Sequence, residues 1–286
     1  FGTVGKPTHK ESGEPVAIKV IERQKQVVED FRLELNEAEI LKALDHPNIV
    51  LLRELSTDPS GTASYLIMEV VEGGNLQDRL DEQGAFNDAD AAEIFRQVAS
   101  AIGYLHERNI THRDIKPENL VLMREDVLKL IDFGTAIVLG PEEEVMAGGR
   151  CGTTGYWAPE QIEGKASYGQ PVDLWAAGIV LYILLSGYHP FDTEGVSSAA
   201  DIKRAVLAGR YSLDSPEWEN VSEPAKQLVR SLLELDPDKR CTAAELLNHP
   251  WVRGERVSDT PLPETHERLR AYTKAKHAFH GSLLLG

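Results

Sequence analysis

The chain has 286 residues, 42% of them hydrophobic and 27% charged, and a formal net charge of −16. That length suits one two-lobed domain or two small ones, with enough apolar content to bury a sizeable core. The acidic balance disfavours nucleic acid and anionic membrane as partners, and two cysteines, Cys151 and Cys241, argue against a disulfide scaffold and fit a reducing, cytoplasmic setting.

From Gly5 to Val71 the pattern predicts a small, mainly β unit. Val16–Ile21 is a short β-branched run, and Tyr65–Val71 is a second strand. Between them, Phe31, Leu35, Ala38 and Leu41 recur at helical spacing within 31–44. Gly73-Gly74 breaks the pattern and marks a hinge. Beyond it the chain reads as mostly helical. Ile94, Val98, Ile102 and Leu105 lie at helical intervals within 88–106. The longest apolar run, Leu174–Leu185, is too short for a bilayer span of roughly 20 residues and predicts a buried helix. A linker with Pro261 and Pro263 leads into residues 265–285, where Arg268, Arg270, Lys274 and Lys276 alternate with Leu269, Tyr272, Phe279 and Leu283. A basic amphipathic helix of this kind suits a calmodulin target, a pseudosubstrate, or a surface helix docked on its own domain.

The segment 112–119 reads His-Arg-Asp-Ile-Lys-Pro-Glu-Asn, and Asp132-Phe133-Gly134 follows. Together they supply two acids, a lysine and an amide, a donor set suited to a nucleoside triphosphate, its metal ions and a hydroxyl substrate. Either tripeptide alone recurs by chance. Here, however, Val16-Ala17-Ile18-Lys19, Glu37 and His46-Pro47-Asn48-Ile49 precede them. Gly152-Thr153, Ala158-Pro159-Glu160, Asp173-Leu174-Trp175 and Arg240 follow. In this order the chain resembles the eukaryotic protein kinases, of the Ser/Thr type because Lys116 follows Asp114 by two. Gly187-Tyr188-His189-Pro190-Phe191, Asp214-Ser215-Pro216-Glu217-Trp218 and His249-Pro250-Trp251 are similar to the calcium/calmodulin-dependent group.

The resemblance implies an α+β, two-lobed fold: a small, mainly β lobe over 1–72 that lacks its first strand, a larger, mainly α lobe over 73–252, and 253–286 as linker and start of an autoregulatory or calmodulin-binding helix. It implies ATP and Mg²⁺ as cofactors and protein substrates with Ser/Thr acceptors. Lys19, paired with Glu37, would contact the α- and β-phosphates, and Asn119 and Asp132 would hold the metal. Asp114 would orient the attacking hydroxyl, with Lys116 against the γ-phosphate and Thr153 between the two. Met68, the backbone of Glu69 and Val71, and Ala17 and Val121 would enclose the adenine. Glu160 with Arg240, and Asp173 against the catalytic loop, would be structural.

Departures from the family pattern also carry expectations. The phosphate-covering loop is represented only by Phe1-Gly2-Thr3-Val4, so Gly2 and Val4 are what remains of that part of the nucleotide site. A scaffold with impaired nucleotide binding is the alternative reading that this leaves. Asn75 stands where relatives carry a glutamate touching the ribose and an upstream arginine of the substrate. Glu118 remains, Thr154 replaces a proline, and Trp157 replaces a small aliphatic residue. Weaker selection for that arginine is expected. Glu142-Glu143-Glu144 would stand in for a phosphate by pairing with Arg113.

Overall fold

The computed structural model describes residues 4–5, 13–22, 37–60, 62–83, 86–123, 126–139, 152–164, 168–258 and 263–283. Four antiparallel strands form the first sheet: β1 (Val4–Gly5), β2 (Val16–Glu22), β3 (Leu52–Thr57) and β4 (Ala63–Glu69), in the order β1-β2-β4-β3. The β2–β4 register pairs Ala17 with Met68 and Lys19 with Leu66, and β1 places Val4 opposite Lys19. Helix α1, over residues 37–42, buries Ala38, Ile40 and Leu41 in the same core cluster as Leu66 of β4.

The expected hinge glycines have a second role. Gly73–Asn75 is a strand, β5, paired with β7 (Leu120–Met123), which pairs in turn with β8 (Leu128–Leu130). A β-carbon on Gly73 would lie 2.1 Å from the Leu122 carbonyl oxygen, so only glycine lets the two backbones approach this closely. Helix α2 (Leu76–Gln83) follows directly. Strands β6 (Ile110–Thr111) and β9 (Ile137–Val138) pair antiparallel and bracket the segment 112–136.

The rest of the large lobe is helical: α3 (Asp88–His106), α4 (Pro159–Glu163), α5 (Pro171–Ser186), α6 (Ala199–Leu207), α7 (Glu223–Leu232), α8 (Ala243–Asn248) and α9 (Pro263–Leu283). Asn87 caps α3, its side-chain oxygen accepting from the Asp90 N–H. Helix α5 is apolar on every face, and residues 172–186 are all buried. It starts on Pro171, which has no N–H to leave unpaired, and ends at Gly187 in the left-handed region (φ 82°). Trp175 on α5 stacks on Phe191 with ring centroids 5.6 Å apart. A fully buried Leu or Ile in such a core contributes about 1.5–3 kcal/mol, which is why α5 serves as the frame for everything around it.

Helix α9 lies against this frame. Thr265, Leu269 and Tyr272 are buried, and the Thr265 hydroxyl donates to the Leu185 carbonyl at 2.9 Å. Arg268 meets Glu194 at 2.6 Å and the Thr193 carbonyl at 2.7 Å. Of the three expectations for the tail, the geometry is that of a helix docked on its own domain.

Candidate active site

The loop 112–119 is built around a buried acid at the start of α5. Asp173 accepts from the backbone N–H groups of His112 (2.9 Å) and Arg113 (2.8 Å), and from His106 Nε2–H at 3.0 Å. Burial alone would raise its pKa, but these donors hold it below the ordinary carboxylate range. His106 is a partner that sequence reasoning did not single out; its place as the last residue of α3, facing α5, was the available signal. The brace holds Arg113 at φ 68°, a left-handed conformation that costs a non-glycine residue about 1–3 kcal/mol. Arg113 is held from its side chain too, where Nε donates to the Thr135 carbonyl at 2.6 Å. The proposed partners at 142–144 lie outside the described residues.

His112 joins the two halves of the signature. Its Nδ1 accepts from the Asp114 N–H at 3.3 Å, and its Nε2–H donates to the Ile131 carbonyl at 3.3 Å. Its ring stands edge-on to Phe133, with centroids 4.8 Å apart. Ile131 N–H donates in turn to the Asn119 carbonyl at 2.9 Å. This fastens the chain just before Asp132 to the end of the catalytic loop.

Two polar clusters adjoin this joint, one containing Asp132 and the other Asn119. In the upper one, Lys19 Nζ lies 2.8 Å from both oxygens of Glu37 and 3.2 Å from Asp132 Oδ1. Burial disfavours the lysine's charge, yet the two acids outweigh it and raise its pKa above the usual value. Burial likewise pushes Asp132 up, but Lys19 more than offsets this and leaves it below the usual range. Glu37 is 3% exposed while Asp132 is 39% exposed, so one acid anchors the lysine and the other opens to the cleft. Asp132 is itself left-handed, at φ 61°. A β-carbon on Gly134 would lie in ordinary contact, 3.4–3.8 Å, with Asp132, Glu37 and Lys19, which places this backbone at the same corner.

In the lower cluster the Asp114 carboxylate meets Lys116 Nζ at 2.7 Å, Asn119 Nδ2 at 2.9 Å and the Thr153 N–H at 2.8 Å. Lys116 also donates to Thr153 Oγ1 at 2.6 Å, so Thr153 bridges acid and lysine as expected. Gly152, at φ 83°, permits this approach, since a β-carbon there would come 2.4 Å from the Arg113 carbonyl oxygen. Asn119 spends both amide hydrogens on Asp114, at its carboxylate and its carbonyl, which leaves its own side-chain oxygen as the free donor atom. One amide oxygen and one half-exposed carboxylate are hard oxygen ligands, the type that suits Mg²⁺ when phosphate and water complete the shell.

Of the residues expected around the adenine, Ala17 pairs with Met68 across β2 and β4. Ala17, Met68 and Val71 are half-buried and Val121 is buried. Glu69 is engaged already: its carboxylate binds Lys129 (2.7 Å) and the Leu51 N–H (2.9 Å), and its N–H donates to the Leu51 carbonyl. Only its carbonyl remains for a base edge. Asn75 Oδ1 accepts from the Asp78 N–H at 2.9 Å and thereby starts α2, a structural duty the sequence reading did not foresee. Glu118 is exposed, and Trp157 is 7% exposed with Lys203 Nζ 5.0 Å from its ring centroid. Gly2 lies outside the described residues. Deeper in the lobe, Arg240 and Glu160 form a two-pronged buried pair at 2.7 and 3.0 Å.

This arrangement of lobes and loops is that of a protein kinase, and comparison with known proteins agrees. The protein kinase domain model matches residues 1–252, and the chain belongs to that family. It is 39% identical over 292 residues to human calcium/calmodulin-dependent protein kinase type 1B, covering all of this chain and 82% of the relative. It is 38% identical to calcium/calmodulin-dependent protein kinase type 1 of Macrobrachium nipponense, over 94% of this chain and 77% of that one. The human type IV enzyme is 39% identical over 92% of this chain and 54% of its own length. The chain is thus a serine/threonine protein kinase similar to the calcium/calmodulin-dependent kinases.

Proposed function

We propose that this cleft uses Mg·ATP and transfers the γ-phosphoryl group to Ser or Thr hydroxyls of protein substrates, with roles divided between the two clusters. The observation that carries this reading is Asp114, whose carboxylate gathers Lys116, Asn119 and the Thr153 N–H within 2.7–2.9 Å. Phosphoryl transfer passes through a loose transition state, so positioning and charge neutralisation count for more than covalent help. Asp114 orients the acceptor hydroxyl and takes its proton late. Lys116 faces the transferring group and offsets its developing charge. Lys19, held rigid by Glu37, grips the α- and β-phosphates. Asn119 Oδ1 and Asp132 hold the metal ion, which supplies electrostatic neutralisation of the phosphate oxygens. Ala17, Met68, Val71 and Val121 enclose the base, with Val4 above the phosphates.

In this reading the small lobe ends at about residue 72, the large lobe at about 252, and the remainder is regulatory, in a protein of the cytoplasm. The human type 1B and the Macrobrachium type 1 relatives bear calmodulin in their names, and the cationic α9 suits such a partner. Calmodulin would have to lift α9 from α5, exposing Leu269 and Tyr272. Calorimetry with the whole chain, with and without calcium, tests this, and no calcium-dependent uptake would remove it. With Asn75 committed to α2, weak selection for an upstream arginine follows, and a degenerate peptide library showing a strong requirement would refute it. The central test is transfer of labelled phosphate to a mixed Ser/Thr peptide pool. The native chain should label it and Asp132→Asn should not; equal labelling by both would overturn the assignment.

A further inference from the structure

The turn that carries Thr153 is supported from its far side by a histidine outside the catalytic machinery. Residues 154–156 form a single 3₁₀ turn, closed by Tyr156 N–H to the Thr153 carbonyl at 2.9 Å. The Gly155 carbonyl points out of that turn and accepts from His189 Nε2 at 3.0 Å. The Phe191 N–H donates to His189 Nδ1 at 3.2 Å, so Nδ1 must be the bare nitrogen and Nε2 must carry the proton. The tautomer that can hold Gly155 is therefore enforced by the backbone two residues away.

The histidine is also fixed as a body. It is 5% exposed, and its ring meets Tyr156 edge-on at 5.8 Å and Phe191 at 6.1 Å. Phe191 stacks on Trp175 of α5, and Asp192 secures the loop further by accepting from the N–H groups of Val196 and Ser197. A continuous path thus runs from the core helix through Phe191 and His189 to Gly155, two residues from the Thr153 that touches both Asp114 and Lys116.

We propose that His189 is a positioning residue for phosphoryl transfer: its Nε2–H holds the Gly155 carbonyl so that the Thr153 turn presents the acceptor side of the cleft in register with Asp114. The proposal rests on the roles given above to Asp114 and Thr153. Its signature is selective, because the path reaches the lower cluster and not the Lys19 corner. Weakening it should harm the protein substrate while sparing ATP.

Two substitutions separate the nitrogens. In His189→Asn the side-chain oxygen replaces Nδ1 and the contact to Gly155 is lost. In His189→Gln the amide N–H reaches to the Nε2 position. The Asn chain should show a peptide KM raised about tenfold, the scale of one lost hydrogen bond, with the KM for ATP within twofold of native. Gln should restore most of the difference. Equal behaviour of the two variants, or a parallel rise in both KM values, would make His189 a packing residue only and overturn the proposal. Should either variant fail to fold, amide hydrogen exchange on the native chain decides. Tyr156 and Phe191 should open together with one protection factor; Tyr156 opening alone, at lower protection, counts against it. A native chain that transfers no phosphate refutes the underlying roles instead, and the exchange measurement needs no activity.

Discussion

Two ion pairs in this molecule use the same chemistry to opposite ends. Arg240 and Glu160, 0% and 3% exposed, have every charge matched inside the large lobe, the arginine also donating to the carbonyls of Pro171 and Glu234. Lys19 and Asp132 are left incompletely matched at the mouth of the cleft, the lysine 17% and the aspartate 39% exposed. A fully matched pair resists opening and can only hold the fold. A partly open pair keeps lone pairs and charge exposed, on the side where the proposal places the phosphates and their cation. The difference lies in the third partner: Glu37 anchors Lys19 from behind, so Asp132 is free to face outward.

That contrast can be broken from either side. The largest effect is expected in the cleft: Asp114→Asn should lower kcat by 10²–10⁴-fold, roughly the range for loss of a positioned acid–base group, with the urea midpoint nearly unchanged. Glu160→Gln should do the reverse. It strands Arg240 and costs about 3–5 kcal/mol of stability, read as a lower urea midpoint, while the specific activity of the folded fraction stays native.

Acid sharpens the same comparison. Burial lowers the His189 pKa to about 4, helped by Lys276 and opposed by the hydrogen bond to the Gly155 carbonyl and by Asp192. The unfolded chain takes up a proton near pH 6.5 that the folded one refuses. Stability from this group is therefore complete above pH 6.5, falls as the pH drops, and is lost by about pH 4, roughly 3 kcal/mol in all. Urea midpoints measured between pH 7.5 and 4.5 should show that slope, and His189→Gln should make it shallower, leaving the part that belongs to the buried His112. The smallest effect belongs to the tail. Thr265→Val removes one buried hydrogen bond to Leu185 and should cost about 1 kcal/mol, seen as faster proteolysis within 263–283 without change in kcat.

Much of the site was legible because its residues are spaced by short, rigid turns. Asp114, Lys116 and Asn119 lie within six residues of one another, and Thr153 between acid and lysine matched expectation. Helix α3 was legible from its period, and its bounds, Asp88–His106, agree with the reading. Other elements were hidden for physical reasons. Strand β3 is an edge with a mostly exposed face, so Leu52–Thr57 shows no alternation of apolar and polar residues. Strands β7 and β8 are four and three residues long, too short to display any period. His106 and His189 were hidden because a histidine's role depends on the tautomer that distant backbone groups impose. The capping role of Asn75 was hidden because it appears only once α2 is seen to begin at the next residue.

One glycine has reach beyond its own turn. Gly187 closes α5, yet a β-carbon there would come 2.5 Å from the Thr265 carbonyl oxygen and 2.9 Å from Leu269. The berth of the C-terminal helix is therefore specified nearly eighty positions upstream of it. Any bulkier residue at 187 would evict that helix while leaving its own sequence untouched. Occupancy of the berth is thus heritable at a site that a comparison of tails alone would never inspect.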